Sequence, residues 1–309
     1  MGHFDLEEWE LESATVKDII SSGSEYDLFS VLPHVFCEEH VGSMNVKRGL
    51  LAMLVSPYDL KMPGGRTVRN RIHILLNGDP GTGKSDFIEH LSNSWGAKHI
   101  SSPPSAASLK GDARRKDKGV QIFRQYNGGM VCIDDIELMG DSDTLRDVME
   151  RGRYSMTKGG IDEEYESQCR IIAATNDLTE LSLPMLSRFD LIYNFDKPSI
   201  EETLEIAQAL LDFDEGGVVY TGGQLIQDHV KVSQSFIPGK RDKREMMACI
   251  SKFLDDRGRG GDTGRWISSV LRISRSIAKI RLCDMGPNDV VTALQMKAES
   301  DKVLEDKYE

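Results

Sequence analysis

The sequence predicts an α/β fold: three layers built around a doubly wound parallel sheet, followed by a small helical lid. Three observations carry that expectation. Short runs around 72–76, 130–133, 170–176 and 191–195 are apolar almost throughout and lack a helical period. Runs of this kind read as strands buried on both faces, as in a parallel sheet. Segments of helical character lie between them, and strands alternating with helices build such a sheet through crossover connections. After Pro198 the strand signal fades and only helical patterns remain.

Taken in order, residues 1–26 are acidic and then polar, with Trp9 and Leu11 the notable apolar positions. They read as an extension with a short helix and a loose connection. Across 27–56, Val46, Leu50, Leu51 and Leu54 recur at helical spacing, and Pro57 stops that helix. Residues 57–70 form a turn-rich bridge into the first buried strand, and a helix begins at Lys84. A second short strand is expected at 97–100. An insertion then fills 101–128, with Pro103, Pro104 and a basic tip at Arg114, Arg115, Lys116 and Lys118. The strand Met130–Ile133 ends in two carboxylates. Gly159-Gly160, flanked by β-tolerant residues on both sides, predicts a hairpin.

Helices are expected at 200–212, about 240–256, 265–282 and 288–304. In the third, Trp266, Val270, Ile273, Ile277 and Ile280 make one apolar stripe, while Arg265, Arg272, Arg275 and Lys279 lie near one another on a different face. The loops 214–223 and 258–264 are hinge candidates. The division expected is an extension over 1–26, an α/β core over 27–198 and a helical lid over 199–309.

Composition narrows the class. The chain has 309 residues, 39% hydrophobic and 28% charged, which suits one large domain and a smaller one. No apolar run approaches the roughly 20 residues that cross a bilayer, and the acidic N-terminus lacks a signal-peptide core. Five scattered cysteines without a paired spacing suggest reduced thiols in an intracellular setting and give no readable zinc site. A net charge of −12 argues against general nucleic-acid affinity, so any such contact must be local.

Chemistry concentrates where the first strand ends. Gly78, Asp79, Pro80, Gly81, Thr82, Gly83, Lys84 and Ser85 fit G-x-x-x-x-G-K-[ST], a phosphate-binding loop. Glycines let consecutive N–H groups point at phosphate oxygens, and the following helix N-terminus favours anions. Lys84 would serve the β and γ phosphates of ATP, and Ser85 would offer a hydroxyl to Mg²⁺. Asp134 and Asp135, at the tip of a later buried strand, suit magnesium binding and water activation. Asn176 ends the next strand; there it could orient water or phosphate, or simply begin a turn.

Five separated segments resemble the minichromosome maintenance (MCM) helicases, a family of AAA+ ATPases. They are the strand and loop at 71–86, GGMVCIDDIELM, MERGRYSMTKGG, LPMLSRFDLIYNF and TGRWISSVLRISRSIAKIRL. Together they span roughly 27–300. The resemblance implies a P-loop AAA+ core with Asp134 and Asp135 as the Walker B pair and Asn176 as sensor 1. It implies that Arg188 is an arginine finger and Arg265 a second sensor, both acting across a subunit interface. Lys158 matches a hairpin lysine that faces DNA in a ring channel, and the basic tip at Arg114, Arg115 and Lys116 suits the same partner.

The residues alone allow blander readings: Arg188 in a surface ion pair, Arg265 as a helix-end charge, Lys158 and the basic tip as solvated groups. The sequence also departs from the family. Asp135 stands where the family has Glu, which would slow hydrolysis, and Gly83 replaces a small non-glycine residue, expected to be harmless. Nothing resembles the family's N-terminal oligonucleotide-binding and zinc region, which suggests a trimmed chain or a short natural relative. The expectation is an ATP- and Mg²⁺-dependent DNA motor forming a homo-oligomer, a hexamer, away from membranes, in cytoplasm or a prokaryotic nucleoid. Rival expectations are a ring subunit that binds but barely hydrolyses ATP, and a MoxR- or chelatase-type remodelling ATPase.

Overall fold

A computed structural model of the chain describes residues 27–37, 40, 42–56, 58–61, 64–65, 67–101, 109, 121–139, 142–158, 161–214, 222–257 and 263–308. The expected extension over 1–26, the basic tip at Arg114, Arg115, Lys116 and Lys118, and the hairpin turn Gly159-Gly160 lie outside them.

Two helices, α1 (Leu28–Val35) and α2 (Met44–Leu54), occupy the stretch read as carrying one. The bridge that follows holds a small antiparallel pair, β1 (Leu60–Lys61) with β2 (Thr67–Val68). Five strands then make the central sheet: β3 (Ile74–Gly78), β4 (Lys98–Ile100), β5 (Met130–Ile133), β8 (Arg170–Thr175) and β9 (Leu191–Phe195). Their order is β4-β5-β8-β3-β9, and every pairing is parallel. Helix α3 (Lys84–Trp95) carries the chain from β3 to the far edge, β4, and the short helix α4 (Ile122–Gln125) precedes β5. The chain then works back through β5 and β8 and passes β3 to form β9 on its far side. Helix α5 (Ser142–Arg151), the hairpin β6 (Arg153–Lys158) with β7 (Ile161–Glu166), and the single-turn α6 (Leu183–Leu186) fill the connections.

The two-residue period of a strand explains the layers. Ile74, Leu76, Ile172, Ala174, Leu191 and Tyr193 face one apolar cluster, which also holds α1, α2 and α3 side chains. Their neighbours Leu75, Ile171, Ala173 and Ile192 face a second cluster with Phe123, Leu145, Val148 and Tyr154. Apolar runs are what such a two-sided burial requires, which is why these strands were readable.

Beyond β9 the chain is helical: α7 (Ile200–Asp214), α8 (Gly222–Ser235), α9 (Lys243–Arg257), α10 (Thr263–Ile280) and α11 (Pro287–Tyr308). The apolar stripe of α10 is buried as expected, and it joins the first apolar cluster of the sheet. Its cationic face does not behave as a unit. Arg272 and Lys279 are buried while Arg265 reaches the surface. No helix among the described residues is long and apolar enough to cross a membrane.

Candidate functional site

Three strand ends converge at one edge of the sheet. After β3 the chain turns through Gly78, Gly81 and Gly83, with φ of 151°, 81° and 91°. These conformations suit glycine rather than residues with a side chain. A β-carbon at Gly78 would collide with the Phe195 carbonyl on the neighbouring strand, and one at Gly83 would stand 2.9 Å from the His40 ring. The φ of 91° at Gly83 is one that glycine adopts without strain. Thr82 braces the turn by donating its hydroxyl to the Asp79 carbonyl at 2.8 Å.

Lys84 opens α3 with its side chain largely buried. Its Nζ donates to the carbonyl of Gly78, to that of Asp79 at 2.8 Å, and to Asn176 Oδ1 at 3.2 Å. Burial draws the ammonium below its ordinary pKa, opposed by Asp79, Asp135 and Asp134. Asn176 in turn donates from Nδ2 to Asp135 Oδ1 at 3.2 Å. Lys84, Asn176 and Asp135 thus form one hydrogen-bonded chain across the ends of β3, β8 and β5. Asp135 has a φ of 47°, so the backbone turns sharply out of β5 there.

Asp134 takes a different partner: His99 Nε2 lies 2.6 Å from its Oδ2. His99 was given no role from sequence, because a lone histidine on a short strand carries no motif. The pairing of β4 with β5 sets His99 opposite Cys132, two residues before Asp134. A cleft of about 480 Å³ opens among Gly81, Lys84, Ser85, Ser101, Asp134 and Asn176. Its donors fit a magnesium nucleotide: N–H groups at a helix start and one lysine for phosphate, a hydroxyl and a carboxylate as hard oxygen ligands for Mg²⁺. Such a nucleotide would supply the phosphoryl group and, with its metal, the charge neutralisation of phosphoryl transfer.

Arg188 and Arg265 are not in this cleft. Both line a larger one of about 820 Å³. There Arg188 Nη2 lies 2.7 Å from Glu150 Oε2, and Arg265 Nη2 lies 3.2 Å from Glu150 Oε1. Arg188 Nη1 also donates to the Pro184 carbonyl, and Arg265 Nη1 to Ser187 Oγ at 3.1 Å. Behind them sits Asp190, fully buried. It accepts from Arg69 at 2.9 and 3.0 Å, Arg272 Nε at 3.1 Å, Ser269 Oγ at 2.7 Å and the His73 amide at 3.0 Å. Burial alone would raise its carboxyl pKa; Arg272 and Arg69 overturn that and hold it well below the usual range. Glu150, Asp190 and Arg69 went unremarked in the sequence. The acid opening the apolar run after Arg188 was the one available signal.

Lys158 closes β6, paired in register with Ile161 next to the turn. The base of that hairpin is pinned by Tyr154, stacked on Tyr165 and packed near Phe123.

Residues 15–214 match the family model described as the MCM P-loop domain, well over half of the chain. The sequence is 26% identical to the DNA replication licensing factor MCM7 of Oryza sativa subsp. indica, over 94% of this chain and 45% of that protein. It is 26% identical to licensing factor mcm7-A of Xenopus laevis, over 99% of this chain and 46% of the relative. With licensing factor mcm-5 of Caenorhabditis elegans the identity is 30%, over 59% of this chain and 26% of the relative. The chain thus spans less than half the length of these curated relatives. They come from a plant and two animals, so they lend nothing to the expectation of a prokaryotic nucleoid.

Proposed function

We propose a function from one premise: the chain belongs to the MCM P-loop family. It is an ATP-dependent DNA translocase module that assembles with copies of itself into a ring, a hexamer, and hydrolyses ATP at the interfaces. The names of its relatives, DNA replication licensing factors, support a role in DNA replication inside the cell. The family match favours this reading over a MoxR- or chelatase-type remodelling ATPase.

One observation carries it. Lys84, Asn176 and Asp135 share a hydrogen-bonded chain in one cleft, while Arg188 and Arg265 meet at Glu150 in another. A site whose parts are built separately within a protomer is completed by a neighbour. Lys84 and the loop from Gly78 to Ser85 would hold the phosphates, with Ser85 and Asp134 toward Mg²⁺. Asp135 and Asn176 would orient the attacking water. Arg188 and Arg265 of the next subunit would meet the charge that develops on the phosphoryl group. We further propose 27–198 as the ATPase core, 199–309 as its lid and 1–26 as an extension.

Lys158 would contact DNA phosphates, a sequence-independent attraction. The opposite strand of its hairpin carries Asp162, Glu163, Glu164 and Glu166, so contact is confined to the tip. Arg114, Arg115 and Lys116 are proposed as a second basic contact on sequence grounds. One departure favours a weak motor: Asp135 is a methylene shorter than glutamate, and its Oδ1 already accepts from Asn176.

Steady-state ATPase, with and without single-stranded DNA across a protein concentration series, tests the proposal. Specific activity is expected to rise with concentration and with DNA, and Lys158→Ala to remove the DNA response. A rate indifferent to both would overturn it.

A further inference from the structure

We infer that Glu150 is an internal stand-in for phosphate: it holds Arg188 and Arg265 together in the free protomer and yields them to a neighbour's triphosphate. The inference rests on the split-site reading and says how the arginine half is kept ready. Arg188 follows α6 and Arg265 lies in the first turn of α10, yet each guanidinium meets a separate oxygen of one carboxylate, at 2.7 and 3.2 Å. Two cations gathered this closely repel each other, and an anion between them is what keeps them converged.

Glu150 does that incompletely. Arg188 Nε remains buried without a hydrogen-bond partner. A phosphoryl group offers more oxygens and more charge, and guanidinium donors recognise it well. The clasp is also exchangeable. The Glu150 and Arg265 side chains are 44% and 48% exposed, a setting in which ion pairs are weak and anions compete, while Arg188 is the more sheltered member.

What stays fixed is the frame beneath. Arg69 Nη1 donates to the Arg188 carbonyl at 3.1 Å and lies 3.4 Å from that of Met149, next to Glu150. Removing the Glu150 charge therefore loosens the two guanidiniums, which keep their bonds to the Pro184 carbonyl and Ser187 Oγ, without releasing the backbone at Arg188.

The test uses the full chain with Lys84→Ala, which removes the loop's charged phosphate ligand, and inorganic tripolyphosphate as the probe in low-salt calorimetry. Adding Glu150→Gln is expected to tighten binding about two- to fivefold, the scale of losing one exposed competing charge. Glu150→Ala should do the same, so that a folding defect in one variant does not decide the matter. Adding Arg188→Ala to either should cancel the gain. Unchanged or weaker tripolyphosphate binding in both Glu150 variants would overturn the inference and make Glu150 a plain structural partner.

A second arm keeps Lys84 and follows self-association by sedimentation velocity with a non-hydrolysable ATP analogue. Glu150→Gln should move assembly to lower protein concentration, and assembly at the parent's concentration counts against the inference. If the parent chain does not assemble with nucleotide at all, the split-site reading fails, while the tripolyphosphate arm still decides the role of Glu150.

Discussion

Asp135 leaves β5 with a φ of 47° and hands its Oδ1 to Asn176 at 3.2 Å, so its short carboxylate is anchored near the strand ends. A base acts only within hydrogen-bond reach of its water, and about 1 Å of misplacement can cost roughly 10²-fold. Lengthening the side chain by one methylene should therefore help. Asp135→Glu is expected to raise single-turnover ATP hydrolysis about 10- to 100-fold, and Asp135→Asn to abolish it. A Glu variant no faster than the parent would show that reach is not what limits the reaction. The residue itself was readable from sequence as one of two acids after an apolar run. Its link to Asn176 was not, because that link depends on β8 lying beside β5.

At the scale of elements, Asp190 ties three pieces together: the start of β3 through the His73 amide, Arg69 just before it, and α10 through Ser269 and Arg272. Asp190→Asn leaves the buried Arg272 and the half-buried Arg69 guanidiniums uncompensated and should cost about 3–5 kcal/mol in chemical denaturation. The depressed carboxyl fixes the sign with pH. Its contribution is present above the unfolded-state value of about 3.9 and is lost as pH falls from there toward the folded value. Between about pH 5 and pH 3 the parent should therefore lose more stability than Asp190→Asn. An equal loss would mean the cluster does not couple to acid unfolding.

The strands of the central sheet and the β6–β7 hairpin were legible because burial on both faces and a glycine pair leave local marks. Helix α8 (Gly222–Ser235) was not, since Leu225, Ile226 and Val230 are sparse among polar residues. The β1–β2 pair escaped notice because two-residue strands have no period. The cationic face of α10 was legible as a pattern, but its division was not. Arg272 turns inward to Asp190 while Arg265 turns outward to Glu150.

For the molecule as a whole, the half that would grip phosphate and the half that would complete the reaction occupy different clefts. Sharing the site as proposed would join protomers head to tail, the kind of contact that closes into a ring. The net charge of −12 leaves local cations to make any nucleic-acid contact, which keeps the proposed DNA binding weak and salt-sensitive. The most direct measurement mixes Lys84→Ala protein with Arg188→Ala protein and follows ATP turnover. Each alone should be inactive, whereas an equal mixture should regain activity, since about a quarter of randomly formed head-to-tail interfaces join an intact loop to an intact arginine. A mixture as silent as its parts, or an Arg188→Ala protein as active as the parent, would contradict a pocket shared between neighbours.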